Sequence, residues 1–187
     1  MLLFINACVR PGSRTLELAQ HLISQLPGPV ETIDLYREDL PELDLAALNH
    51  RDSCGKSGSY DDPIFRYARQ FAAADTIVVA APYWDLGFPA RVKRYFELVT
   101  ATGVTFFYTP EGIPQGLCKA KRIYYVTTAG GPVFMNFGYD YVKAVAQGFY
   151  GIPEAVCVKA ENLDIIGADV PAILSQAKMD ADALLNT

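Results

Sequence analysis

Histidine is almost missing from this chain, with His21 and His50 its two copies, and the cysteines Cys8, Cys54, Cys118 and Cys157 stand far apart. No CxxC pair exists, which removes zinc ribbons and thioredoxin-type redox pairs, and two histidines are too few for a multi-histidine metal centre. The thiols are therefore expected to be reduced and mostly packed, and no metal is expected. An excess of basic residues is lacking as well. Against 21 acids there are 16 bases, a formal charge of −5, so neither nucleic acid nor an anionic membrane is an expected partner, although a local basic cluster can still hold one phosphate. No apolar run approaches the roughly 20 residues of a membrane span. The opening Met1-Leu2-Leu3-Phe4-Ile5 stops at Asn6 without basic residues before it, too short for a signal-peptide core. A soluble, cytoplasmic protein is the expectation.

Apolar residues, by contrast, make up 51% of 187 residues, enough for a sizeable core in a single domain spanning residues 1–187. Apolar runs of strand length alternate with helical stretches. Leu2–Ile5 reads as a buried strand and Val30–Leu35 as an alternating one. Thr76–Ala81 is a near-continuous β-branched run of the kind covered on both faces, and Ile123–Thr128 and Ala155–Val158 add two more. Between them Ala19, Leu22, Ile23 and Leu26 recur at helical spacing, as do Val92, Phe96 and Val99, and Val142, Val145 and Phe149. Pro89 suits a first helical turn, and a last helix is expected over Pro171–Leu185. The pattern predicts an α/β fold, a doubly wound five-stranded parallel sheet with helices on both faces.

Two stretches break the alternation. Leu48–Tyr60 (LNHRDSCGKSGSY) is polar and rich in glycine and serine, and is expected to be a mobile surface loop. Its Gly55-Lys56-Ser57 resembles the end of a P-loop, but the glycine needed five residues earlier is replaced by His50. Gly103–Gly116 (GVTFFYTPEGIPQG) is aromatic and then turn-rich, and predicts a β-excursion. Alternation within it puts Phe106 and Tyr108 on one face and Phe107 on the other.

In a doubly wound sheet, ligands bind beyond the carboxyl ends of the strands where strand order reverses. The turn after the first strand, Cys8-Val9-Arg10-Pro11-Gly12-Ser13-Arg14-Thr15, leads into a helix. Its free amides, two hydroxyls and arginines suit a dianionic phosphate, and an ordinary N-cap with solvated arginines explains them equally. After the third strand comes Pro82-Tyr83-Trp84-Asp85-Leu86-Gly87-Phe88-Pro89, which offers a flat apolar surface or simply core aromatics. After the fourth comes Thr127-Thr128-Ala129-Gly130-Gly131-Pro132, whose paired glycines allow close approach to the backbone or a plain turn. Together the three suit a flat heteroaromatic phosphate ester.

The same segments carry a family likeness. Ala81–Val99 (APYWDLGFPARVKRYFELV), continuing into Gly103–Thr109, resembles the flavodoxin-like NAD(P)H:quinone oxidoreductases and FMN-dependent azoreductases, and Pro11-Gly12-Ser13 and Thr127–Gly131 match in kind and position. The likeness covers most of the chain and is weak across residues 45–62. It implies bound FMN rather than FAD, NAD(P)H as co-substrate, quinone or azo acceptors in a two-step ping-pong cycle, and a homodimer. Carried over by residue, Ser13, Arg14 and Thr15 would hold the flavin phosphate, with Cys8 near the ribityl chain. Tyr83, Trp84, Asp85 and Leu86 would border the isoalloxazine ring, and Thr128, Ala129, Gly130 and Gly131 its pyrimidine side. Phe106–Tyr108 would form part of the acceptor pocket with Phe107 or Tyr108 facing the flavin, or else serve as hairpin packing or dimer contacts. No side chain is assigned a catalytic role, because the chemistry is centred on the flavin. Three positions depart from the family's habit: Cys8 where serine is common, Asp85 where asparagine is common, and Ala129 where arginine is frequent. The alternative is a flavodoxin-type electron carrier without its own NAD(P)H oxidation. Phosphodiesterase, serine hydrolase and response-regulator readings fail for want of clustered ligands, a G-x-S-x-G elbow and an acidic cluster at Asn6-Ala7-Cys8.

Overall fold

A computed structural model describes residues 1–185. Five parallel strands form the central sheet: β1 (Leu2–Asn6), β2 (Val30–Asp34), β3 (Thr76–Ala80), β6 (Arg122–Thr128) and β7 (Glu154–Ala160). The short β4 (Phe106–Tyr108) and β5 (Pro114–Gly116) pair antiparallel as a separate hairpin, so the predicted excursion is present. The sheet order is β2-β1-β3-β6-β7. The chain winds outward one way from β1 to β2 and the other way from β1 through β3 to β7. Strand order therefore reverses between β1 and β3, and a crevice opens above their carboxyl ends.

Period-two alternation divides the strands between two cores. Leu2, Phe4, Val78, Ala80, Tyr124 and Val126 face Leu18, Ala19 and Leu22 of α1 (Arg14–Gln25) and Leu174, Ala177 and Ala181 of α6 (Val170–Leu185). Leu3, Ile5, Ile77, Val79, Ile123 and Tyr125 face the opposite layer. That layer comprises α3 (Arg66–Ala73), α4 (Ala90–Val99) and α5 (Phe137–Val145), the last continuing as a π-helical turn over Ala146–Tyr150. Tyr150 stacks on Phe96 with ring planes 9° apart, so the wide π turn delivers one aromatic ring onto another. Pro89 is the residue immediately before α4 rather than within its first turn.

Residues 48–60 are not a mobile loop. Leu45–Ser57 forms helix α2, started by Asp44, whose Oδ1 accepts from the Ala47 amide at 2.8 Å, and ended by Gly58 at φ 71°. Glycine and serine depress helix propensity here and the apolar residues form no stripe, which is why the sequence reads as a loop. Tertiary contact decides the matter. Cys54 is buried against Phe65, Ala68 and Ala101 in a small core of its own. The sequence reading also names no helix at α3, whose eight residues include Arg66, Arg69 and Gln70. Among the described residues, no helix is long and apolar enough to cross a membrane.

Candidate functional site

The crevice between β1 and β3 is a cleft of about 420 Å³, built from the loops after β1, β3, β6 and β7. Gly12, at φ 70°, turns the first loop through a conformation closed to most side chains, and α1 begins two residues later. Ser13 is the N-cap, its hydroxyl accepting from the Leu16 amide at 3.3 Å. The amides of Arg14 and Thr15, in the first turn, have no acceptor within the helix and so remain for a ligand. Thr15 is buried, and its hydroxyl shares a 2.6 Å hydrogen bond with the Thr128 hydroxyl, which ties α1 to the end of β6. What Thr15 offers a ligand is therefore its amide rather than its side chain.

Two further loops close the far side. The Tyr83 amide donates to Thr128 O at 3.1 Å. Trp84 and Gly87 then exchange backbone hydrogen bonds of 3.2 and 2.8 Å across a tight turn, with Asp85 at φ 51° and Leu86 at φ 65°. Two successive left-handed residues are the signature of a type I′ turn. The Tyr83 hydroxyl donates to Met135 O at 2.6 Å, and the Phe137 amide to Leu86 O at 3.0 Å, joining this turn to residues 133–137. On the other flank the Asp164 amide donates to Gly130 O at 2.9 Å. A side chain at Gly130 would collide with the Asp164 carboxylate. That carboxylate accepts from Arg14 Nη1 at 2.7 Å, and Leu163 O accepts from the same guanidinium at 3.1 Å. Arg14 is thus oriented across the mouth of the cleft by the loop after β7.

Ser13, Arg14, Thr15, Tyr83, Trp84, Thr128, Ala129 and Gly130 all line the cleft, as do Arg10, Leu163 and Asp164. Cys8 does not. It lies buried below, its amide donating to Asn6 Oδ1 at 3.0 Å. Burial pushes its thiol up to about 11, against the opposing effect of the Ser13 hydroxyl, so at neutral pH it is an inert thiol rather than a thiolate. Asp85 and Leu86 occupy the tip of the turn, outside the lining, and Gly131 also lies outside it. Phe107 and Tyr108 sit half-exposed on the β4–β5 hairpin, likewise outside the cleft lining, while Phe106 is buried beneath the Tyr108 ring, 5.3 Å away and edge-on. Leu163 and Asp164 were missed by the sequence reading, although they follow the fifth strand and the strand-end rule points to them equally. The exposed Phe134, 89% accessible, and its neighbours Met135 and Phe137 were missed too. No periodicity marks them.

A family model described as flavodoxin-like fold matches residues 1–185. The chain belongs to that flavodoxin-like family. Within it, a protein of Lachnoclostridium phytofermentans named FMN-dependent NADH:quinone oxidoreductase is 38% identical over 178 residues, spanning 90% of this chain and 88% of its own length. A protein of Coprothermobacter proteolyticus with the same name is 36% identical over 183 residues, spanning 92% and 90%. The crystal structure of an azoreductase from Bacillus anthracis is 27% identical and superposes with a TM-score of 0.84, covering 99% of this chain and 98% of that one. The cleft therefore sits in a chain that runs nearly the full length of these relatives.

Proposed function

We propose that this chain is an FMN-dependent oxidoreductase that takes hydride from NAD(P)H and reduces a quinone or azo compound in two steps at one site. The observation that carries this is the switch-point cleft itself. A helix start with open amides faces an aromatic turn across a volume that suits a mononucleotide. Relatives at 38% and 36% identity carry the corresponding name.

The donor set fits FMN. The Arg14 and Thr15 amides, the Ser13 hydroxyl and the guanidinium of Arg14 form a cationic cradle for a terminal phosphate. Arg14 needs no reorganisation to serve, because Asp164 and Leu163 already hold it in place. Tyr83 and Trp84 provide the wall for a flat ring. The Ala129 amide is occupied by Ala160 O at 2.9 Å, so Gly130, which lines the cleft, is left to supply the amide that would stabilise negative charge at a ring edge. When bound, FMN supplies a ring that accepts and returns hydride; the protein holds it, shields one face and sets the charge around it. Phe107 and Tyr108 are read as acceptor contacts contributed from outside the cleft.

The reading also includes one domain, a homodimer and a cytoplasmic location. Trp84, Leu86, Phe134, Met135 and Phe137, all exposed on the hydrogen-bonded loops at the cleft, support a subunit interface there. Four free cysteines support a reducing compartment. The deciding experiment is the visible spectrum of the purified protein, mass identification of any flavin released by acid, and anaerobic mixing with NADH or NADPH. Bleaching by the nucleotide alone is expected. A protein that takes up no FMN, or whose flavin is reduced only after a separate reductase is added, overturns the proposal, and a fully active monomer in sedimentation overturns the dimer.

A further inference from the structure

We propose that His50, Cys54 and Asp62 form a binding site for a divalent cation of the zinc class, separate from the switch-point cleft. None of the three has a part in the reaction proposed above. His50 and Cys54 lie four residues apart, on one face of α2. Asp62 is carried to them by the turn that leaves the helix. The Ser59 amide donates to Cys54 O at 2.9 Å, and Arg69 Nη1 donates to both Tyr60 O at 2.6 Å and Asp62 O at 2.8 Å. The position of the carboxylate is fixed further by the Ile64 amide, which donates to Asp62 Oδ1 at 2.9 Å. One imidazole nitrogen, one thiol sulfur and one carboxylate oxygen consequently lie within 4.8 Å of one another.

The three donors lie close enough together for one ion to reach them all. Zinc bond lengths to nitrogen, oxygen and sulfur imply ligand-to-ligand edges of about 3.4 Å for N···O and about 3.6 Å for N···S. His50 Nε2 lies 3.2 Å from each Asp62 oxygen and 3.8 Å from Cys54 Sγ. Both other donors are therefore near enough to Nε2 to share one ion with it once the His50 ring turns to aim Nε2 between them, since Sγ stands as near Nδ1 as Nε2. A thiolate and a carboxylate balance the dication, and an N, S, O set with one sulfur selects zinc-like ions over calcium or magnesium. His50 is exposed, so the fourth position faces water. An ordinary thiol is protonated at neutral pH, so the free site carries a proton that the cation displaces to solvent.

The same three residue types also make a thiol–imidazole–carboxylate nucleophile, and the geometry speaks against it. A relay needs thiol and carboxylate on opposite ring nitrogens. Here the carboxylate sits on Nε2, and the sulfur is no nearer Nδ1, at 3.9 Å, than Nε2, at 3.8 Å.

Tag-free, flavin-loaded protein is stripped with chelator and titrated with Co²⁺, reading the red region beyond flavin absorption. One Co²⁺ per chain is expected, with intense tetrahedral d–d bands, release of about one proton from the thiol, and displacement by Zn²⁺. His50→Ala, which removes an exposed side chain, should weaken Co²⁺ at least tenfold while flavin content and quinone reduction stay unchanged. Asp62→Asn keeps an acceptor for the Ile64 amide and should weaken it similarly. Cys54→Ser should abolish the thiolate charge-transfer band, and if that variant fails to fold, His50→Ala decides alone. Sub-stoichiometric binding, the weak spectrum of octahedral cobalt, or unchanged affinity in His50→Ala overturns the site. So does rapid alkylation of Cys54 that depends on His50 in a protein that takes up no cobalt.

Discussion

The switch-point cleft and the segment from α2 through α3 are both built from polar, glycine-containing sequence, yet they are held by different means. The cleft is held by its backbone. Strand ends fix four loops, and hydrogen bonds such as Tyr83 N to Thr128 O and Asp164 N to Gly130 O lace them together with little help from apolar burial. Residues 45–73 are held by side chains. Their small core of Cys54, Phe65, Ala68 and Ala101, with Tyr60, Ile64 and Val104 packed around it, is what makes a helix of a loop-like sequence. Ligand sites can be read from where strands stop, whereas packing that depends on distant residues leaves little local trace.

The sharpest way to break this contrast is Phe65→Ala. Phe65 is 1% exposed and packs against Tyr60, with ring centroids 5.6 Å apart. Truncation of a buried phenylalanine costs about 3–5 kcal/mol, so chemical denaturation should show a large fall in stability. If the two regions are independent, FMN affinity per folded molecule should stay within about twofold, a difference near 0.4 kcal/mol. A parallel loss of flavin affinity would mean that the small core also positions the cleft.

The reverse experiment removes hydroxyls from the cleft. Ser13→Ala with Thr15→Ala deletes a cap and a buried hydroxyl pair, and is expected to weaken FMN by roughly 1–3 kcal/mol. Since the Thr15 hydroxyl is engaged with Thr128, most of the direct loss should come from Ser13, and Thr15→Ala alone should act mainly on stability. Single-mutant titrations of flavin fluorescence would separate the two. Equal affinity losses would show that Thr15 reaches the ligand with its side chain.

Three thiols, Cys8 and Cys118 buried and Cys157 partly so, sharpen the comparison through pH. Burial pushes Cys8 and Cys157 up to about 11 and Cys118 up to about 12, from 9.0. The folded pKa of each is raised, so the neutral thiol contributes stability that is complete below pH 9 and is lost as pH rises toward 11. A tenfold difference in proton affinity between the folded and unfolded states is worth about 1.4 kcal/mol, so unfolding midpoints should fall between pH 9 and 11. Cys8→Ala should reduce that slope by about one to two kcal/mol over the window. A slope unchanged in Cys8→Ala would mean that the thiol under the cleft is more hydrated than its burial implies.

The sequence shows the sheet well and the crossover between β2 and β3 badly, for reasons visible in single residues. Thr76–Ala80 is buried on both faces, so its continuous apolar run announces a strand. Phe106–Tyr108 announces its hairpin through aromatic alternation followed by Gly112 and Pro114. Helix α2 announces nothing, because Gly55, Ser53 and Ser57 argue against a helix and the contacts that overrule them come from Phe65 and Ala101. In the cleft, eight of the twelve residues named for the cofactor line one cavity. Cys8 does not because odd–even alternation beyond β1 turns it inward. Asp164 escaped notice because its part depends on Arg14, 150 residues away in sequence.

The smallest expected effect concerns Leu86, which joins cleft to surface. A non-glycine residue at φ 65° carries about 1–2 kcal/mol of backbone strain, and Leu86 is nevertheless half-exposed at the tip of the Trp84–Gly87 turn. Glycine is the favoured residue at the second position of a type I′ turn. Leu86→Gly relieves the strain but loosens the unfolded chain by about 0.4–1 kcal/mol, so the net gain should be about 0.5 kcal/mol, a small rise in melting temperature. Strain retained at an exposed apolar residue is accounted for if the side chain meets something when the protein works. Leu86→Gly should then raise the acceptor KM or the dimer dissociation constant by severalfold while flavin content holds. A variant that is more stable, equally dimeric and kinetically unchanged would show that Leu86 is tolerated rather than used, and would leave the aromatic turn to Tyr83 and Trp84 alone.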